Sequence, residues 1–201
     1  MRFGAILLTF SLVLALPALT DDSRTLEDVV RPCLAPEGQL EQLVSDLQSE
    51  GWQLVQTPED DLIDELAWIQ SWYYLSGDTG GTSLDNILEI QRKAARGLLR
   101  KKDIPQSKSR FFQRRDGTTS ETLMVAWREP FPQVLQIDCR ASVRYDAREF
   151  QMIIEGETFY RPGRIPYGNA TMDILFFNDA RLPDHKPPAY VIHTHYQRVS
   201  Q

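Results

Sequence analysis

The sequence predicts an α+β domain in which about four N-terminal helices pack on a C-terminal antiparallel sheet of six to seven strands. Three observations carry that prediction. Apolar residues recur at three- and four-residue spacing from Leu26 to about Lys102. From Ser109 onward they alternate with polar residues instead. Only short connections separate these segments, which suits neighbouring antiparallel elements.

The chain of 201 residues opens on a segment of a different kind. Arg2 gives a positive start, Gly4 to Leu16 is an uncharged apolar run, and Pro17-Ala18-Leu19-Thr20 breaks it before Asp21 and Asp22. That is the layout of a secretory signal peptide, with an apolar core too short to span a bilayer. A cut after Thr20 has Ala18 at the favoured outer position but Thr at the cut, and a cut after Ala18 has Leu16 at the outer position; residues 1–20 are read as the signal peptide. Residues 21–201 then form a single domain, periplasmic or extracellular, with no transmembrane segment of its own.

The first helix is read from Leu26, Val29, Val30 and Cys33, and the second from Leu40, Leu43, Val44 and Leu47, stopped by Gly51. Trp52 to Gln56 is a short extended piece. Thr57-Pro58-Glu59-Asp60 starts a third helix with a cap, a first-turn proline and acids at the positive end of the dipole. That helix, to Leu75, is apolar on most of its circumference: Leu62, Leu66, Ile69 and Tyr73 form one stripe, Trp68, Trp72 and Leu75 another, and Ile63 and Tyr74 a third. Neighbours on several sides are expected to bury it. The loop from Ser76 to Gly81 ends it. The fourth helix, about Leu84 to Lys102, is two-faced, with Leu84, Ile87, Leu88, Gln91, Ala95 and Leu98 inward and Arg92, Arg96 and Arg100 outward.

In the second half, Arg110 to Arg115 and Glu121 to Arg128 form a hairpin around Asp116-Gly117. Leu135, Ile137, Cys139, Ala141 and Val143 alternate with Gln136, Asp138, Arg140, Ser142 and Arg144, the pattern of a strand with one wet face. Phe150–Ile154, Thr158–Tyr160, Ala170–Phe177 and Ala189–Val199 complete the strands. Arg161 to Asn169 and Asp179 to Pro188 read as irregular loops.

Cys33 and Cys139 are the two cysteines of the chain. In an oxidising compartment an even count reads as one disulfide rather than two buried thiols. Cys139 lies on the apolar face of its strand, so the bridge places the first helix against that face.

The formal net charge of −6 argues against a dedicated nucleic-acid binder. Between Arg92 and Arg115, however, ten basic residues meet one acid, Asp103. Arg92, Arg96, Arg100, Arg110, Arg114 and Arg115 are therefore a candidate patch for an anionic surface or an acidic protein, weighed against a solvated helix face. Trp68, Trp72, Tyr73 and Tyr74 are candidate ligand-binding aromatics, weighed against simple core packing. His193 and His195 stand two apart on a strand and so point the same way, as metal ligands do. His185, Asp184 and Asp173 are available as further ligands. The opposite face, Tyr190, Ile192 and Tyr196, looks like the core side, which leaves the histidine pair in water and no metal expected.

No phosphate-binding glycine loop, nucleophile elbow or zinc-protease motif occurs, so no cofactor is expected and no catalytic residue is named. The leading expectation is an exported, non-catalytic ligand- or partner-binding domain. The alternative is a metal-assisted hydrolase or lyase on His193 and His195.

Overall fold

A computed structural model describes residues 25–36, 39–56, 59–75, 82–101, 108–116, 119–144, 159–161, 163–178, 181–182 and 184–199. Outside them lie residues 1–20, expected above to be a signal peptide, and the residues expected to form the Thr57-Pro58 helix start, the Ser76–Gly81 loop, the turn at Gly117 and the strand at Phe150–Ile154.

The described chain has four helices followed by most of one antiparallel sheet: α1 (Leu26–Leu34), α2 (Leu40–Ser49), α3 (Asp60–Leu75) and α4 (Leu84–Arg100). The strands are β1 (Gln53–Leu54), β2 (Ser109–Asp116), β3 (Thr119–Phe131), β4 (Val134–Arg144), β5 (Phe159–Tyr160), β6 (Arg164–Tyr167), β7 (Ala170–Phe177) and β8 (Tyr190–Val199). The main path through the sheet runs β1-β2-β3-β4-β8-β7-β5, and β6 pairs β7. Among the described residues no helix is long and apolar enough to cross a membrane.

Local chemistry explains the helix ends. Thr25 and Asp28 close a reciprocal capping box on α1, with the Thr25 amide donating to Asp28 Oδ2 at 2.7 Å. After α2 the Trp52 amide reaches back to the Leu47 carbonyl and Gly51 to Gln48, with Gly51 at φ +87°. Such a left-handed stop suits glycine, which carries no Cβ to clash.

The helices cover both faces of the sheet. α1 and α2 send Val29, Val30, Cys33, Leu43 and Leu47 into a core with Leu123, Val125, Ile137, Ala141, Ile174 and Ile192. The Cys33–Cys139 disulfide, with Cα atoms 6.2 Å apart, bolts α1 to β4 within that core. On the other face α3 feeds two separate apolar clusters. Leu62, Leu66 and Ile69 join Ala95, Leu99, Phe111 and Met124. Ala67, Trp68, Trp72 and Leu75 join Ile87, Leu88, Leu175 and Val191.

Two expectations need correction. The polar side of β4 is not uniformly wet: Ser142 is buried against Glu65 of α3 and Asp138 is buried among His193, His195 and Arg128, while Gln136, Arg140 and Arg144 are half-buried. Residues 164–167 are not an irregular loop but the edge strand β6, turning into β7 through Gly168 at φ +56°. Pro166 disguised it, since an edge strand tolerates a residue that cannot donate a ladder hydrogen bond.

Candidate functional site

The polar residues of β4 make a seam between the two apolar clusters on the α3 face. At one end Glu65 of α3 accepts from the Ser142 hydroxyl at 2.7 Å and pairs with Arg144. Arg144 in turn donates to the Lys186 carbonyl at 2.8 Å, tying in the segment before β8. Charges buried this way persist only when paired and hydrogen-bonded. This end is an internal clamp.

Further along, the seam reaches the candidate site. Register places Arg140 opposite His193, His193 opposite Asp173, and Asp173 opposite Arg164, so one row crosses β4, β8, β7 and β6. The adjacent row brings Asp138 opposite His195. Alternation along each strand puts all six side chains on the face that carries α3.

Asp138 is 4 % exposed. Its Oδ1 lies 2.8 Å from His195 Nδ1 and 3.5 Å from His193 Nε2, and its Oδ2 pairs with Arg128. Burial works against this carboxylate, but the contacts from His193, His195 and Arg128 outweigh it and hold the acid well below the usual carboxylate range. Asp173, also 4 % exposed, takes Arg161 at 2.9 Å on one oxygen and Arg164 at 3.1 Å on the other. Two residues beyond Asp138 on β4 is Arg140, whose Nη1 donates to Gln70 Oε1 at 3.2 Å while its Nε is buried with no hydrogen-bond partner. Burial pulls this guanidinium down from its ordinary value, and the Asp138 charge opposes that pull. Gln70 spends its amide on Met124 sulfur at 3.2 Å, a weak acceptor. Trp72 covers the row, edge-on to His193 at 6.0 Å between ring centres and with Arg161 5.3 Å from its ring centre.

The residues singled out in the sequence are distributed as follows. His193 and His195 do stand together and both address Asp138, but the pair is not simply in water: His193 lies against Trp72 of α3 with its side chain 19 % exposed, while that of His195 is 38 % exposed. Asp173 does lie beside His193, yet both its oxygens are engaged by arginine. His185 is elsewhere, 3.7 Å from Asp85 of α4, and Asp184 is exposed. Among the described residues no three His, Cys, Asp or Glu side chains converge as metal ligands.

The aromatic helix splits. Trp68 is buried edge-on against Phe177 at 5.1 Å, and Trp72 joins the polar row, but Tyr73 is 79 % exposed and Tyr74 partly so. α3 touches the sheet and α4, and its remaining side faces solvent. The basic residues do not make one patch either. Arg114 points to the α1–α2 face, buried in an ion pair with Glu121, donating to the Glu50 carbonyl at 3.0 Å and lying over the Trp52 ring. Arg115 alternates to the other face, and Arg92 is engaged by Asp64 at 2.7 Å. Arg96 and Arg100 are exposed on α4.

Sequence reading missed Asp138, Arg140, Arg128, Arg161 and Arg164. The signal was present in part: β4 carries charges at alternate positions, and His-x-His repeats the same parity on β8.

Comparison of the chain with protein-family models, with curated proteins and with solved structures returned no match.

Proposed function

We propose that this chain is exported by residues 1–20 and that its mature domain binds an anionic ligand or partner on the α3 side of the sheet. Export is supported by the layout of the first twenty residues and by the Cys33–Cys139 bridge, a bond that persists in oxidising compartments. The observation that carries the binding reading is that, among the described residues, guanidiniums outnumber carboxylates at two neighbouring points on this face: Arg128 and Arg140 beside Asp138, and Arg161 and Arg164 on Asp173. Buried acids pin partly exposed arginines from beneath, which presents preorganised donors at the surface.

The alternative, a metal-assisted hydrolase on His193 and His195, is less favoured. An Asp138–His195 contact does resemble the outer-shell partner of a metal-bound imidazole. Yet Arg128 and Arg140 flank the pair, and a divalent cation there meets two like charges.

The test is thermal shift of the exported protein with a panel of anions: phosphate, dicarboxylate and a sulfated polysaccharide, against neutral sugars. The melting midpoint should rise with at least one anion, less so at high salt, and not with neutral sugars. An unchanged midpoint across the panel sinks the reading. Stoichiometric metal by elemental analysis, lost in His195→Ala, would promote the alternative.

A further inference from the structure

Asn169-Ala170-Thr171, at the start of β7, has the N-x-Ser/Thr spacing that marks an asparagine for N-linked glycosylation. The chain's other asparagines, Asn86 and Asn178, are followed two residues on by Leu88 and Ala180 and lack it. A glycan is bulky, so the tripeptide counts only where the fold leaves its asparagine at the surface. Gly168 and Asn169 are the two-residue turn between β6 and β7, closed by the Tyr167–Ala170 pair, and Asn169 is exposed. Ala170 and Met172 anchor the next strand in the core, and Thr171 between them is half-buried.

An asparagine in a turn usually has a structural task. It takes a left-handed φ, or its side chain bonds the nearby backbone. Neither holds at Asn169. The positive φ of this turn, +56°, belongs to Gly168, the first central residue, as in glycine-led hairpin turns. Among the described residues the Asn169 side-chain amide makes no hydrogen bond; only its backbone carbonyl is engaged, accepting from the Gln197 amide at 3.1 Å. Packing and turn chemistry therefore leave the identity of this residue unexplained, and its amide is free to react.

We infer that Asn169 is an N-glycosylation acceptor whose co-substrate is an oligosaccharide carried on a polyprenyl pyrophosphate. The inference rests on the export reading above, because this transfer takes place in the lumen of the secretory pathway. The Asn169 Nδ2 forms a bond to C1 of the first sugar as the bond from C1 to the pyrophosphate oxygen breaks. The lipid pyrophosphate leaves, the amide loses one proton, and nothing is oxidised or reduced. Thr171 supplies the hydroxyl of the acceptor motif.

Expression of the full chain in a eukaryotic secretory host tests this, with intact mass and peptide mapping of the protein in the medium. The parent should carry a glycan on the peptide containing Asn169, and peptide-N-glycosidase should remove it while converting Asn169 to aspartate. Asn169→Gln and Thr171→Ala should each abolish the modification, and Thr171→Ser should keep it. The serine variant separates the hydroxyl's part in the acceptor motif from any part Thr171 plays in the strand. Asn169→Gln should retain the parent's circular dichroism, since the side chain it replaces makes no bond in the fold. Secreted protein that has lost its signal segment but carries Asn169 unmodified overturns the acceptor and leaves the export reading standing. A glycan that survives in Asn169→Gln overturns it as well. Protein kept inside the cells with residues 1–20 uncleaved removes the export reading, and the acceptor with it.

Discussion

His195 and Asp138 face each other across the β4–β8 ladder, with the imidazole Nδ1 2.8 Å from the carboxylate Oδ1. In the neutral ring this contact makes Nδ1 the donor and leaves Nε2 as the acceptor. Arg128 holds the other carboxylate oxygen, so a single buried acid organises three cationic or titratable side chains.

Asp138 makes the fold acid-sensitive. Its carboxyl is held below the ordinary value, so as pH falls the unfolded chain takes up this proton first. The stability it contributes is present above about pH 4, the ordinary aspartate range, and is lost as pH falls toward the folded value. Urea unfolding of the parent between pH 7 and pH 3 should show that decline, and Asp138→Asn should flatten it. The variant should also be less stable at pH 7 by about 1–3 kcal/mol, the cost of leaving buried hydrogen-bonding groups without their charged partner, since Arg128 itself stays largely exposed. Parallel pH curves for the two proteins would falsify this account.

The disulfide closes a loop of 106 residues. In the chain-entropy model that contributes about 4.7 kcal/mol. Cys139→Ser should lower the melting midpoint by roughly 10 °C or more, at about 2–4 °C per kcal/mol for a domain of this size, with added loss from a hydroxyl in an apolar core. Intact mass before and after reduction and alkylation checks the bond itself. Thiols that alkylate fully without reductant would rule it out.

Arg114 and Glu121 form a pair that is almost completely buried beside Trp52. Glu121→Ala should destabilise by about 3–5 kcal/mol because it strands the guanidinium. The double variant Arg114→Met/Glu121→Leu should lose less than the two single changes together. Additive losses in a denaturant-based double-mutant cycle would show that the pair is not coupled.

The two sides of α3 should respond very differently to truncation. Trp68→Ala opens a cavity against Phe177 and should cost about 3–5 kcal/mol, whereas exposed Tyr73→Ala should stay within about 0.5 kcal/mol. Chemical denaturation of both variants decides this. Equal costs would mean that α3 sits on the sheet with a different face.

Residue spacing alone determined the order of elements, because helix and strand periods are local properties of the chain. Leu26 to Cys33, Leu62 to Ile69 and Leu135 to Val143 each announce their element and the side they bury. The disulfide followed from two cysteines and an export-like start, and with it the docking of α1 on the Cys139 face. What periodicity does not carry is whether a second layer covers the other face. The polar side of β4 looks wet until α3 and the neighbouring strands are placed around it, and only then does Asp138 become a buried group in need of partners. The site is equally non-local. His193, Asp173, Arg164 and Arg140 come from four strands, and antiparallel register, not sequence spacing, sets them in one row. Arg114 and Arg115, neighbours in the basic segment, go to opposite faces because strand side chains alternate. Sequence decided what each segment is; the pairing of strands and the two-sided covering of the sheet decided which charges meet.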